Sequence, residues 1–203
     1  NEIMYAPLSG DENDAYVELY NSSSNTVELG GWKLDGLGYE FPTNAALAPG
    51  AFAVVAKNPS GLQANYPILA EAPAWGPYPG TLKKNGESLS LLGLEGTVAT
   101  NGLSTNWHPY LVDQVSFRTG GRWGRWTDGG GSSLELVDAH ANRRLAPSWA
   151  GSIDLAKGTW TNLEITAQLS PNGNSTYSND RLYLLLLGEG ECLVDNVEVY
   201  VAG

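Results

Sequence analysis

Hydrophobic and polar residues alternate with a period of two through much of this chain, and Gly, Asn, Asp and Pro cut the alternation into short runs. Tyr16-Val17-Glu18-Leu19-Tyr20 is the pattern of a half-buried strand. Asn21-Ser22-Ser23-Ser24-Asn25 follows, a cluster of turn formers whose short side chains bond to their own backbone. Thr26-Val27-Glu28-Leu29 resumes the strand pattern, Gly30-Gly31 frees the backbone, and Trp32-Lys33-Leu34 sets a large aromatic into a third strand. This order of strand, turn, strand, Gly-Gly-Trp and strand predicts the start of an antiparallel sandwich.

The same signals continue in both directions. Residues 2–7 read as a first strand, broken by Pro7 and the acidic turn Gly10-Asp11-Glu12-Asn13-Asp14. Asp35-Gly36-Leu37-Gly38 predicts a hairpin turn before a short strand at residues 39–42. Residues 51–57 are apolar enough for a central strand, and Asn58-Pro59-Ser60-Gly61 caps one predicted helical turn over 62–66. Residues 67–80 read as a Pro- and Ala-rich connection carrying Trp75 and Tyr78. Asn85-Gly86 predicts a hairpin leading into a strand over 87–92. A long polar loop is expected over 96–109, with Trp107 and His108 in it, then a strand over 111–117. A second long loop covers 120–131, GGRWGRWTDGGG, before Leu134, Leu136 and Val137 return to the sheet.

These pieces resemble a known family in their order. Asn1-Glu2-Ile3-Met4-Tyr5, Tyr16-Val17-Glu18-Leu19-Tyr20-Asn21 and Val27-Glu28-Leu29-Gly30-Gly31-Trp32-Lys33-Leu34 are similar to lamin-tail domains. So are Leu47-Ala48-Pro49-Gly50 before Val54-Val55-Ala56-Lys57, and Gly131-Ser132-Ser133-Leu134-Glu135-Leu136-Val137-Asp138. The resemblance spans residues 1–150. It implies an immunoglobulin-like β-sandwich of the kind found in nuclear lamins and in many bacterial surface and secreted proteins. It names no ligand, because one fold hosts many functions.

The composition shifts over 142–156, and three strands are predicted after it, over 160–169, 181–187 and 192–201. The last, with Cys192, Asp195 and Asn196, resembles the closing strand of jelly-roll carbohydrate-binding modules. Three strands are few for an independent sandwich, so residues 151–203 are expected to pack on the first unit as a C-terminal β extension. The run Leu182-Tyr183-Leu184-Leu185-Leu186-Leu187 is too apolar to be left uncovered.

Composition narrows the function class. The net charge of -11 argues against non-specific nucleic-acid binding and anionic membranes. No apolar run is long enough to span a bilayer. The single cysteine, Cys192, excludes an internal disulfide framework and reads as a small buried hydrophobe. Low charge with abundant Gly suits a sandwich with long loops outside the cytoplasm: extracellular, at the cell surface or in the periplasm. The start at Asn1 without Met, with no signal-like segment, reads as a processed product or a piece of a longer chain.

Enzyme signatures are missing: no GxSxG elbow, phosphate loop, HExxH or CxxC occurs, and His108 and His140 are isolated in predicted loops. Glu18 and Glu135 read as outward positions of alternating strands. The loop aromatics are more suggestive. Trp75, Trp107, Trp123 and Trp126, beside Tyr78 and Tyr110, suit a glycan platform by stacking on sugar rings, although loop tryptophans more often fold back to close a sandwich. Arg122 and Arg125 flank Trp123, a pattern for an anionic ligand, and Arg118, Arg143 and Arg144 extend the basic island. The plainer expectation is that these stems cover aromatic faces and pair with acids such as Asp128. Asp11, Asp14 and Asp195 are the candidates for a structural calcium, with outward-facing carboxylates the default.

The sequence therefore predicts an all-β protein: a lamin-tail-like sandwich over 1–150 extended by a three-stranded unit over 151–203. Its expected role is that of a non-catalytic accessory domain in a larger bacterial exported or surface protein. The expected partners are other domains of the same polypeptide, a protein or a glycan. Structural adhesion or scaffolding and carbohydrate binding both stay open at this point.

Overall fold

The computed structural model describes residues 1–67, 69, 72–98, 105–152, 161–166, 184–185, 194 and 196–200. Within them the chain forms twelve strands and one α-helix. The strands are β1 (Glu2–Met4), β2 (Tyr16–Tyr20), β3 (Val27–Glu28), β4 (Lys33–Asp35), β5 (Tyr39–Glu40) and β6 (Ala46–Leu47). They continue as β7 (Phe52–Ala56), β8 (Ala74–Trp75), β9 (Ser88–Val98), β10 (Thr105–Ser116), β11 (Leu134–Leu136) and β12 (Trp149–Gly151). The helix, α1, spans Pro59–Asn65.

Two sheets make an immunoglobulin-like sandwich. One has six strands in the order β12-β11-β1-β2-β7-β8, and the other has four in the order β10-β9-β4-β5; β3 and β6 pair separately. All pairings are antiparallel except β7 with β8. The alternation in the sequence sets which side chains meet between the sheets. In the six-stranded sheet Ile3 is registered with Val17 and with Leu134, and Val17 with Val55, so these four point inward together. Leu34, Leu89 and Val115 face them from the other sheet, and all seven are buried in one core with Tyr5, Phe41 and Phe117.

The central turn is held by one side chain. Asn21 is buried; its Nδ2 donates to the carbonyls of Asn25 and Leu47, and its Oδ1 accepts from the amide and hydroxyl of Ser23. The turn after β4 is as tight as its sequence suggests. Gly36 has φ +98°, and a Cβ there would sit 2.7 Å from the Ser88 carbonyl oxygen of β9, so the neighbouring strand requires glycine. Asn58 caps α1 by accepting from the Gly61 amide.

Four expectations need correction. Residues 96–98 and 105–109 do not lie in a polar loop: β9 and β10 run on as a long two-stranded ribbon, in register from Thr105 with Val98 to Ser116 with Ser88. Gly96 and Pro109 read as breakers, yet glycine is tolerated here under an aromatic ring and proline on a strand that pairs on one side only. Asn85-Gly86 forms a turn, Gly86 donating to the Lys83 carbonyl, but no strand precedes it, and β9 pairs with β4 and β10 instead. Trp75 lies in β8 rather than a connection, and Tyr78 is buried. Finally, β12 adds an edge strand beyond β11 that Pro147 and Gly151 conceal in the sequence.

The three strands expected over 160–169, 181–187 and 192–201 lie largely outside the described residues, as does Cys192. Described positions among them carry exposed apolar side chains, including Leu163, Ile165, Val197, Val199 and Tyr200.

Candidate functional site

The outward faces of the two sheets differ in how their apolar side chains are treated. On the six-stranded sheet, α1 lies across part of the face and buries Leu62 against Val54 and Ala56. Beside it, Glu135, Glu2 and Glu18 stand next to one another on β11, β1 and β2. Desolvation raises the Glu18 carboxyl above its ordinary pKa, opposed by the hydrogen bond from Asn1 Nδ2 and supported by the neighbouring Glu2 charge. Burial and the same Glu2 carboxylate, which accepts the Tyr16 hydroxyl at 2.5 Å, push the Tyr16 phenol far upward.

On the four-stranded sheet the outward face begins polar and turns apolar. At β4 and β5, Lys33 pairs with Glu40 at 3.4 Å. The registers place Leu92, Leu94, Gly96 and Val98 of β9 opposite Leu111, Pro109, Trp107 and Thr105 of β10 on this same side. Trp107 is 63% exposed, Val98 72% and Leu111 45%. The Trp107 ring lies over Gly96, where an added Cβ would sit 3.0 Å from it. On the inner side, Tyr110 covers Gly93 and meets Trp32 edge-on with ring centres 6.2 Å apart. A register shift between Leu111 and Asp113 leaves Val112 exposed as well. The result is an apolar strip along an exposed ribbon, the kind of surface that marks an interaction site.

The sequence-predicted site residues do not all arrive here. Of the four tryptophans, only Trp107 lies on the ribbon. Trp75 is half-buried and edge-on to Phe41 at 5.3 Å, and Trp123 packs against the core. Trp126 is 46% exposed in the short turn Arg125–Thr127, which also holds Arg125. Arg118, Arg122 and Arg144 are exposed. Arg143 pairs with Asp113 at 3.0 Å and donates to the Ala139 carbonyl.

The acidic turn is engaged with its own chain. Asp11 accepts from the Asn13 amide and Asp14 from the Ser9 hydroxyl. Glu12 pairs with Lys57 at 3.1 Å, an interaction that holds its carboxyl below the ordinary value. Among the described residues no three His, Cys, Asp or Glu side chains gather as a metal ion would need. Asp195 lies outside the described residues. His108 and His140 are both exposed, His108 Nε2 lying 3.2 Å from the Thr97 hydroxyl.

Sequence reasoning missed the ribbon strip itself. Its signal was present in Leu92, Leu94, Val98, Trp107 and Leu111, but it surfaces only once the two strands are placed in register.

Fold and surface together define an immunoglobulin-like β-sandwich of the kind that presents an interaction face. A model of the lamin tail domain family matches residues 1–200, and the chain belongs to that family. Comparison with curated proteins and with solved structures returns no match. Lamin tail domains are immunoglobulin-like and non-catalytic, and among the described residues no helix is long and apolar enough to cross a membrane.

Proposed function

We propose that this chain is a structural interaction module of a larger bacterial exported or cell-surface protein, and that the β9–β10 ribbon is its attachment surface for other parts of the same polypeptide. The observation that carries this reading is the exposed apolar strip centred on Trp107, Leu111 and Val98. Burying such a strip against protein is favourable at about 25 cal/mol per Å² of apolar area. On the opposite sheet the outward face is mostly carboxylates and side chains covered by α1, with a single exposed apolar side chain among its described strand residues, Phe52, stacked on Tyr20. The acidic net charge and low charged fraction support a place outside the cytoplasm, and adhesion or scaffolding follows from presenting such a face. In support of a protein partner over a glycan, only Trp107 among the candidate tryptophans sits on the strip.

Hydroxyl-radical footprinting of the full chain tests this. Phe52, on the other sheet, has the same exposure as Leu111, 45%, and serves as the internal reference. Labelling of Leu111 and Trp107 well below that of Phe52, each normalised to the intrinsic reactivity of its residue type, is the expected result. Labelling at or above Phe52 would sink the reading. Retardation in a polysaccharide gel that disappears in Trp107→Ala would put a carbohydrate-binding module in its place.

A further inference from the structure

We infer that Arg143 is a positioning residue for the ribbon: it pins the joint where β10 bends out of the sandwich, and so orients the strip toward its contact. This rests on the proposed attachment role and adds the residue that sets the site. The joint is the register shift in β10. Leu111 stands opposite Leu92 and Asp113 opposite Leu91, so Val112 is an extra residue with no partner of its own on β9. A bulge of this kind interrupts the ladder and bends the strand. It falls where support from the sandwich ends, because β4 pairs with β9 at Ser90, Leu91 and Leu92 and not beyond. β10 is also the edge of its sheet. Past that level the ribbon keeps a side-chain contact, Tyr110 against Trp32.

The joint is held through Asp113, which lies on the same inward side of β10 as buried Val115. A carboxylate at the rim of the gap between the sheets needs partners, and both of its oxygens have one. Oδ1 accepts from the Gln114 amide at 2.8 Å, and Oδ2 meets Arg143 Nε at 3.0 Å. Arg143 belongs to the other sheet, on the connection from β11 to β12. That connection is an arm with its own framework: the Val137 amide donates to the Ser148 carbonyl at its base, Ala141 to the Asp138 carbonyl, and Leu145 to the Asn142 carbonyl. Arg143 is gripped twice more. Its Nη2 donates to the Ala139 carbonyl at 2.6 Å, and its own carbonyl accepts from Trp149 Nε1 at 2.9 Å. Trp149 is buried in β12, so the arm follows the six-stranded sheet. The pair thus fastens the bent strand of one sheet to an anchored part of the other, over a cavity of about 60 Å³ between Trp149 and Val115. The two side chains are 30% and 39% exposed, so the tie acts on the joint and adds little to overall stability.

The test combines amide hydrogen exchange with the same footprinting, on the full chain, for Arg143→Met, Asp113→Asn, the two together, and Arg143→Lys. Exchange over residues 111–114 is expected to rise about threefold or more in each of the first two variants, with residues 53–56 of β7 unchanged. Normalised labelling of Trp107 and Leu111 is expected to rise by a similar factor. The double variant is expected to match the singles, because all three lack the same pair. Arg143→Lys keeps a positive charge beside Asp113 and is expected to stay near the parent. Unchanged exchange over 111–114 overturns the inference, whatever the labelling does. A rise that extends to 53–56 overturns it too, as a general loosening. Exchange that rises while labelling stays low shows a joint on which the contact does not depend, and also overturns it. So do effects that add in the double variant, or an Arg143→Lys that behaves as Arg143→Met, since the two side chains would then not act through their pair. High labelling already in the parent removes the attachment role itself, and the positioning role with it.

Discussion

The two outward faces start from the same problem and solve it differently. A sheet that buries one side in a sandwich still has to present the other side to its surroundings. On the six-stranded sheet, α1 covers one apolar part with Leu62, a row of carboxylates follows, and the only apolar side chain left well exposed among its described strand residues is Phe52, stacked on Tyr20. On the four-stranded sheet, Lys33 and Glu40 keep β4 and β5 polar, but the ribbon beyond them carries Leu92, Leu94, Val98, Trp107 and Leu111 with no helix over them among the described residues. A strand pair that extends past its own sandwich gains no stability from apolar side chains directed away from the core. Their presence points to a contact rather than to folding.

The largest difference between the faces is expected from removing one leucine from each. Leu62 is 2% exposed and closes the satellite cluster with Val54 and Ala56. Leu62→Ala is expected to cost about 2–5 kcal/mol, through lost burial and the cavity left behind. Leu111→Ala, on a side chain 45% exposed on the sandwich, loses only its part in the proposed covering contact and is expected to cost less, about 1 kcal/mol. Urea unfolding followed by circular dichroism reads both, and equal costs would dissolve the distinction between a covered face and a presented one.

A smaller effect separates the two sides of the ribbon itself. Gly93 is buried under Tyr110, and a Cβ there would fall 2.7–2.9 Å from the ring. Gly93→Val must displace Tyr110 from its seat beside Trp32 and is expected to cost about 1–3 kcal/mol as an overpacked site. Trp107→Ala on the outward side exposes Gly96, loses its part in the proposed covering contact and is expected to cost less, about 1 kcal/mol. The urea midpoints of the two variants order the sides. A Trp107→Ala cost as large as that of Gly93→Val would mean the outward aromatic holds the ribbon together instead of serving a contact.

The same contrast explains which parts of the fold were legible in the sequence. β2, the Asn21 turn, the Gly36 turn and the Asn58 cap are local: each follows from neighbouring residues, and the structure has them where the pattern places them. The distal ribbon failed because both of its faces hold apolar side chains near the base, so the alternation fades, and because Gly96 and Pro109 read as breakers. Their tolerance depends on partners in another strand, Trp107 over Gly96 and an unpaired edge at Pro109, which sequence spacing does not reveal. β8 and β12 are two and three residues long and are defined by pairing alone. The tryptophans were read as one group since all lay near predicted loops. Trp75 and Trp123 instead serve the core, and Trp107 stands alone on the ribbon.

The smallest expected effect concerns the carboxylate row, the feature that keeps the six-stranded face polar. Glu18 stands directly opposite Glu2, which stands opposite Glu135, and like charges facing across strands are unfavourable. The raised pKa of Glu18 fixes the sign of the pH dependence. From the ordinary carboxylate value of about 4.5 up to the raised value, the native state holds a proton that the unfolded chain has already released. The Glu18 contribution to stability therefore falls as pH rises through that window, and the penalty is complete only above the raised value. Glu18→Gln keeps an acceptor for Asn1 Nδ2 and removes the charge, so it is expected to stabilise the protein by about 0.5 kcal/mol at pH 7 and to do nothing below pH 4. Glu12 titrates in the opposite sense, because pairing with Lys57 lowers its pKa and that stability is lost on acidification. For this reason the comparison is between variant and parent at each pH, read from urea midpoints, and not along the parent's own profile. A Glu18→Gln gain that persists unchanged at pH 4 would assign the effect to packing. The row would then no longer be an electrostatic cost borne to keep one face from sticking while the other is left free to do so.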